Sequence, residues 1–471
     1  MTMKRRQTAL VVLAVYGLLF SSGLAQSARA DNVATTWVSL SLEVVRVTNQ
    51  STQAAGRVYA LTNVAMYDAV NGIERERLKS VSGPARGKIR AQALVPSDGA
   101  PGLGSPRTAA AAAAAAAHTV LVAQFSATTY AELRSRLDVA LEADLDALGV
   151  HTPPVIAGRE WGEYVGNQVL ILRSNDGTQV AETQCVTGTV PPCTFSFPGG
   201  PGQFPRVFTN AQFRNMTPFG IESIEPYLSS GPPSLLSTEY ADAFNDVKQF
   251  GSAADNTTPE GIERGMIGRH WQAETSTARE TGLWFRAALD IVERQGTVKS
   301  LPDTVRLFAL ISMATADAVT VTFRNKFDYH FWRPADAIRA TGANVDGNPA
   351  TVEDPTWQPR AGVGNFGGTP EHTSGSATFA GAASKVLQGF YCRDDVAFSF
   401  RGETGPLPPL RSYTSFSQAA DEMGRSRILN GIHFQFSNVS GREAGDRIGT
   451  EVVTTRLRPE GACHGIHCSC P

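Results

Sequence analysis

Between Asp303 and Lys326 the chain carries apolar residues on nearly every face of a helical period: Leu307, Phe308, Leu310, Ile311, Met313, Val319 and Val321. A helix that is apolar all round has no side to offer water, so it belongs in the middle of a bundle and needs other helices around it. The rest of the chain supplies them. Val33–Val47 and Ala54–Ile73 have apolar residues at three- and four-residue spacing with Ala-rich small faces. The run Ala109–Ala117, followed by Val120, Leu121 and Phe125, predicts a tightly packed helix start. Ala131–Ala147, Ile156–Arg173, Ala278–Arg294, Ala377–Phe390 and Ser417–Leu429 continue the pattern, while alternating strand patterns are scarce. The expected fold class is all-α, a helical bundle in one or two units.

The first residues speak to compartment. Lys4, Arg5 and Arg6 precede the apolar run Ala9–Phe20, and Ala28-Arg29-Ala30 has the small-x-small form of a cleavage site before Asp31. Residues 1–30 are therefore expected to be a removed signal peptide, and the protein to be secreted or periplasmic. Arg5-Arg6 invites a twin-arginine reading, which Gln7, Thr8 and Ala9 fit poorly. No other segment is expected to span a membrane, and no membrane anchor is expected. Six cysteines suit an oxidising compartment: Cys185 and Cys193 bracket a short loop and are placed to pair. Cys392 reads as a further partner or a buried thiol. Residues 461–471 form a Cys/His-rich tail after a helical region at 31–460, whose site-bearing half is about 278–456.

Loss of residues 1–30 removes Lys4, Arg5, Arg6 and Arg29 from the 42 Lys and Arg, against 44 Asp and Glu, leaving a net charge of −6. A mildly acidic surface argues against nucleic acid or an anionic membrane as partner. Cations gathered at a motif are then local, aimed at something small and negative.

Three short segments meet that description. Lys326–Pro334 (KFDYHFWRP) sets Lys326 at the end of the buried helix, with Pro334 forbidding regular helix beyond Trp332. Lys326 and Arg333 therefore gather around a helix end among Phe327, Phe331 and Trp332, and desolvated cations need an anion. In Pro370–Ala377 (PEHTSGSA), Ser374-Gly375-Ser376 precedes a helical stretch; first-turn amides make an anion seat, and Gly375 lets backbone come close to a ligand. In Ser426–Phe434 (SRILNGIHF), Arg427 nears a helix end and Gly431-Ile432 turns the chain to present His433. Of three Gly/Pro-rich stretches, Thr341–Pro370 leads into the Ser-Gly turn and is expected at the mouth of the site. Asp176–Pro233 brings Phe195, Phe197, Phe204 and Phe208, which line a pocket or simply pack; Lys79–Arg107 has no assigned role.

The set K-x6-RP, then SG, then SR-x3-G-x-H resembles the vanadium-dependent haloperoxidases, which share this site with type 2 phosphatidic acid phosphatases and bacterial acid phosphatases. NVAMYDAVN (Asn63–Asn71), the poly-Ala helix and GSATFAGA (Gly375–Ala382) look like the haloperoxidase branch. The resemblance implies a helical bundle holding vanadate. Lys326, Arg333 and Arg427 neutralise its equatorial oxygens, Ser374 and Gly375 donate to them, and His433 is the axial ligand of the metal. It implies hydrogen peroxide, a halide and a small organic compound as partners in a halogenating peroxidase reaction. The alternatives are an acid phosphatase in which His433 forms a phosphohistidine, and a non-catalytic oxyanion-binding relative. In one respect the chain departs from the family: its second motif commonly ends Ser-Gly-His, with that His as acid/base, whereas Ser376 stands here. His372 and His330 are the candidates to compensate, and Thr369 occupies the position associated with halide preference.

Overall fold

In the computed structural model, residues 33–79, 89–102, 104–179, 199–206, 208–296, 298, 300–362 and 368–459 are described. They are mainly helical. The order is α1 (33–47), α2 (Thr52–Lys79), α3 (Pro106–Val122), α4 (Ala131–Leu148), α5 (Pro153–Leu172), α6 (Thr238–Phe250), α7 (Pro259–His270) and α8 (Arg279–Gln295). Then come α9 (Leu301–Tyr329), α10 (Pro334–Ile338), α11 (Gly375–Tyr391), β1 (Phe398–Arg401), β2 (Leu410–Tyr413), α12 (Phe416–Leu429) and α13 (Gln435–Thr455). The strands form one antiparallel hairpin pairing Phe398 with Tyr413. The all-α expectation holds.

The chain divides into two compact units, residues 1–41, 62–170 and 298–306 in the first and 42–61, 171–297 and 307–471 in the second. In the first, every residue of Ala109–Ala117 is buried in α3. Small residues are needed because α5 lies almost on its backbone: a Cβ on Gly158 or Gly162 would sit 2.3 Å from the carbonyl oxygen of Thr108 or Ala112. Asp68 is fully buried on α2 and accepts the amides of Ala93, Leu94 and Val95 at 2.7, 2.8 and 2.9 Å, pinning that loop.

The second unit repeats both devices. Asp317 on α9 accepts the amides of Phe219, Gly220 and Ile221 at 2.6, 2.7 and 2.9 Å. Gly441, Gly445 and Gly449 bring α13 onto α11, where an added Cβ would lie 2.6, 2.1 and 2.3 Å from the carbonyl oxygens of Ser374, Thr378 and Ala382. Gly445→Ala must push the two helices apart, and overpacking of this kind costs about 1–3 kcal/mol. Urea denaturation is expected to show that loss; an unchanged midpoint would mean the contact is looser than described.

Three expectations need correction. Lys326 does not end its helix, because α9 continues one further turn to Tyr329; Lys326 sits in that last turn. A second segment does have the length and apolarity of a membrane span, Leu301–Tyr329, but its apolar window is wholly buried, as a core helix requires. Cys392 is exposed and disulfide-bonded, so it is not a buried thiol. Residues 1–30, the Cys185–Cys193 pair, Phe195, Phe197 and the 461–471 tail lie outside the described residues.

Candidate oxyanion site

Four chain reversals in the second unit deliver the site. Lys326 comes from the last turn of α9, and Arg333 is the N-cap of α10, with Pro334 at its first position, where no amide is needed. Ser374 caps α11, leaving the amides of its first turn without helical partners. Arg427 is in the last turn of α12. Gly431 then reverses the chain at φ +77°, and its missing side chain matters twice over: a Cβ there would lie 2.6 Å from the carbonyl oxygen of Gly251. That turn puts His433 just before α13. Behind it Tyr240, Phe331, Trp332, Trp357, Phe434 and Phe436 form one buried apolar cluster, which keeps water from the site.

Lys326, Arg333, Gly375, Ser376, Arg427 and His433 all line one cavity of about 820 Å³, together with Thr209, Asn210, Ala361, Gly368 and Thr369. The loop at 341–370 is therefore at the cavity, as its position before the Ser-Gly turn predicts. Phe204 and Phe208 are fully buried and outside the wall; Phe208 packs on Phe323 at 5.5 Å between centroids. They pack rather than line. Ser374 is fully buried and not in the wall, its hydroxyl without a partner among the described residues.

His372 is the clearest departure from expectation. It is fully buried and does not border the cavity, because its ring is bolted in place elsewhere. Nε2 meets the Ser229 hydroxyl at 2.7 Å and Nδ1 the Ser437 hydroxyl at 2.8 Å. Burial, and then Lys326, push it down to about 3, so it stays neutral. It cannot stand in for the histidine that Ser376 replaces. His330 is not in the wall either.

A residue to which sequence reasoning gave no role organises the centre. Glu371 is fully buried, and its carboxylate accepts from His433 Nδ1 at 2.7 Å, the Phe434 amide at 2.9 Å and the Ser437 hydroxyl at 2.5 Å. The bond at Nδ1 assigns the proton there and leaves Nε2 as a lone pair. Arg333 Nη1 approaches that lone pair at 3.0 Å. Burial, then Arg333, Lys326 and Arg427, hold the His433 ring well below the ordinary imidazole value, so the neutral form persists. A neutral imidazole nitrogen oriented by a carboxylate is how proteins present a metal ligand.

The cations are held short of satisfaction. Lys326 Nζ donates to the carbonyl oxygens of Pro370 and Glu371 at 2.5 and 2.9 Å. Arg333 donates to the carbonyl oxygens of Thr369 and Ile432 and to the Thr369 hydroxyl, at 2.9, 2.7 and 3.1 Å. Among the described residues Arg427 has a 3.5 Å bond to the Trp271 carbonyl oxygen and a 4.0 Å approach to Glu280, and its Nε has no partner there. Burial lowers all three, Arg333 to about 10 and Lys326 well below the ordinary lysine value, with their mutual repulsion adding for Lys326 and Arg333. An anion among them reverses that cost.

The residues present fit a tetrahedral oxyanion. Among the described residues, Arg427 Nε and the buried Thr322 hydroxyl at the cavity have no partner. A Cβ on Gly375 would crowd Phe379 at 3.3 Å and Thr322 at 3.4 Å, so the glycine keeps the first turn of α11 open.

Residues 306–459 match the family described as the VCPO second helical-bundle domain. The chain is 27% identical over 305 residues to vanadium chloroperoxidase of Curvularia inaequalis, a match covering 52% of this chain and 49% of that protein. It thus spans about half the length of that curated relative. Among solved structures, the fold is similar to one described as the first bacterial vanadium-dependent iodoperoxidase. The TM-score is 0.70 at 22% identity, over 91% of this chain and 97% of that one. A holo-type bacterial vanadium-dependent chloroperoxidase gives a TM-score of 0.59 at 13% identity, over 85% of this chain and 91% of that one. The resemblance to the vanadium haloperoxidases, and the helical-bundle fold it implies, are borne out.

Proposed function

We propose that this chain, whose residues 306–459 carry the VCPO second helical-bundle domain, is a vanadate-dependent haloperoxidase. It uses hydrogen peroxide to oxidise a halide, which then halogenates a small organic compound. The observation that carries this reading is the neutral His433 Nε2 lone pair, fixed by Glu371 and facing a cavity walled by Lys326, Arg333 and Arg427.

His433 would ligate the metal, and the three cations with the first-turn amides of α11 would hold its oxygens. Bound vanadate supplies the Lewis-acidic centre that makes peroxide an oxygen donor to halide. The apolar cluster behind the site excludes water, so each fixed charge acts in a poor dielectric. Lys326, buried and already carrying a depressed proton affinity, can lend a proton-bearing contact to bound peroxide. The protein is exported after cleavage before Asp31; the disulfide at Cys392 supports an oxidising compartment.

The test is bromide-dependent oxidation of a phenol dye by peroxide, with and without orthovanadate. We expect activity that depends on all three reagents. Ser376 cannot protonate a departing alkoxide and His372 is turned away, so hydrolysis of an activated phosphate ester is expected to be very slow. Ser376→His is expected to raise that hydrolysis by about 10²-fold or more, the usual worth of a general acid. Brisk hydrolysis by the unmodified protein, with no halide oxidation at saturating vanadate and peroxide, would instead make His433 the nucleophile of a phosphatase.

A further inference from the structure

Peroxide and halide chemistry needs a group that takes and returns protons, and Ser376 is not one near neutral pH. The cavity wall offers other titratable groups. Its titratable side chains are Glu274, Arg279, Glu280, Lys326, Arg333, Arg427 and His433. Arginines stay charged. Lys326 Nζ has two of its three N–H donors on carbonyl oxygens, so it can donate a contact but does not take a proton from peroxide. Glu274 is exposed and bonded by Gln272. Glu280 differs from all of these. It stands in the first turn of α8 with its side chain only 14% exposed, and Oε2 accepts from the Thr52 hydroxyl at 2.7 Å. Oε1 faces Arg427 at 4.0 Å, a loose ion pair rather than a hydrogen bond, and the residue borders the cavity. Its neighbour Arg279 is spent on the carbonyl oxygen of Gln50 and on Asn49 Oδ1, at 2.6 and 2.9 Å, and does not neutralise it.

We propose that the Glu280 carboxylate carries the proton traffic of this site, in place of the histidine that Ser376 replaces. The inference rests on the haloperoxidase reading for its substrates. Oε1 takes one proton from hydrogen peroxide as it enters. The resulting carboxyl would return that proton to the hydroxide whose place the hydroperoxide takes on the held anion, so that one water leaves for each peroxide that enters and the carboxylate is restored. The groups facing Glu280 are Thr52 from α2, Arg427 from α12, and Glu274 and Arg279 nearest in the chain.

Glu280→Gln keeps the shape and the Thr52 bond while removing the proton site. An anion arriving beside a carboxylate raises its proton affinity. Calorimetry of orthovanadate, and separately of inorganic phosphate, in two buffers of different ionisation heat is therefore expected to show the unmodified protein taking up about one proton more than E280Q. Bromide oxidation by the vanadate-loaded variant is expected to fall about 10²–10⁴-fold, with anion affinity retained. Adding Ser376→His to E280Q is expected to recover at least part of the loss. Equal proton counts together with full turnover in E280Q overturn the proposal. So does a parallel loss of affinity and turnover, which would make Glu280 only a positioning residue for Arg427. If the unmodified protein oxidises no halide yet shows the proton difference, the haloperoxidase reading fails and the assignment of Glu280 as the proton carrier stands.

Discussion

His433→Ala is expected to reduce orthovanadate binding below calorimetric detection, and Arg427→Ala to weaken it by about 10–100-fold, the worth of one or two charge-assisted bonds in a dry site. Arg427 is the cleaner probe of the two arginines. Arg333 also ties down the carbonyl oxygens of Thr369 and Ile432, so Arg333→Ala is expected to lose both affinity and local order. Among the described residues Arg427 makes one long bond, to Trp271, and a loose approach to Glu280, and burying it so weakly compensated costs free energy. Its removal is therefore expected to leave the melting temperature unchanged or higher while anion affinity drops. That opposition of sign separates a binding residue from a structural one. Unchanged orthovanadate affinity in both His433→Ala and Arg427→Ala would dismiss the site altogether.

The bundle was legible because burial leaves a pattern that survives without coordinates. Leu307, Phe308, Leu310 and Ile311 cannot share a surface helix, and α9 is indeed buried. The helix α13 was not expected, for a physical reason. Its packing face is Gly441, Gly445 and Gly449, chosen for close approach to backbone, and a hydrophobic period does not register glycine. α6 does carry a period, Tyr240, Phe244 and Val247, that the sequence reading passed over, whereas α7 buries Gly261, Gly268 and His270 and shows none, and the hairpin strands are only four residues each. Within the site, the cations and His433 were legible because few motifs concentrate them. Side-chain direction was not. Glu371 and His372 are adjacent, and the sequence favoured the histidine as the chemically active one. The chain instead points Glu371 at His433, and His372 at Ser229 and Ser437. Those partners lie 62 or more residues away in sequence, so no local pattern encodes them.

Glu371→Ala is expected to be the most damaging single truncation in the second unit. The carboxylate satisfies His433 Nδ1, the Phe434 amide and the Ser437 hydroxyl, all buried. It also offsets the charge of Arg333 and Lys326. Removing one partner of a buried charge network leaves the others uncompensated and costs about 3–5 kcal/mol. Glu371→Gln separates the two roles. The amide oxygen can still accept from Nδ1, so most packing survives, but the negative charge that raises the basicity of Nε2 is gone. Loss of such an orienting partner typically weakens a metal site about 10–100-fold. The expected pattern is a large fall in urea midpoint for Glu371→Ala. Glu371→Gln should fall less in midpoint but lose orthovanadate affinity clearly, and Glu371→Asp should recover part of that affinity. Should Glu371→Gln bind orthovanadate as tightly as the unmodified chain, the carboxylate is packing and not a tuner of His433.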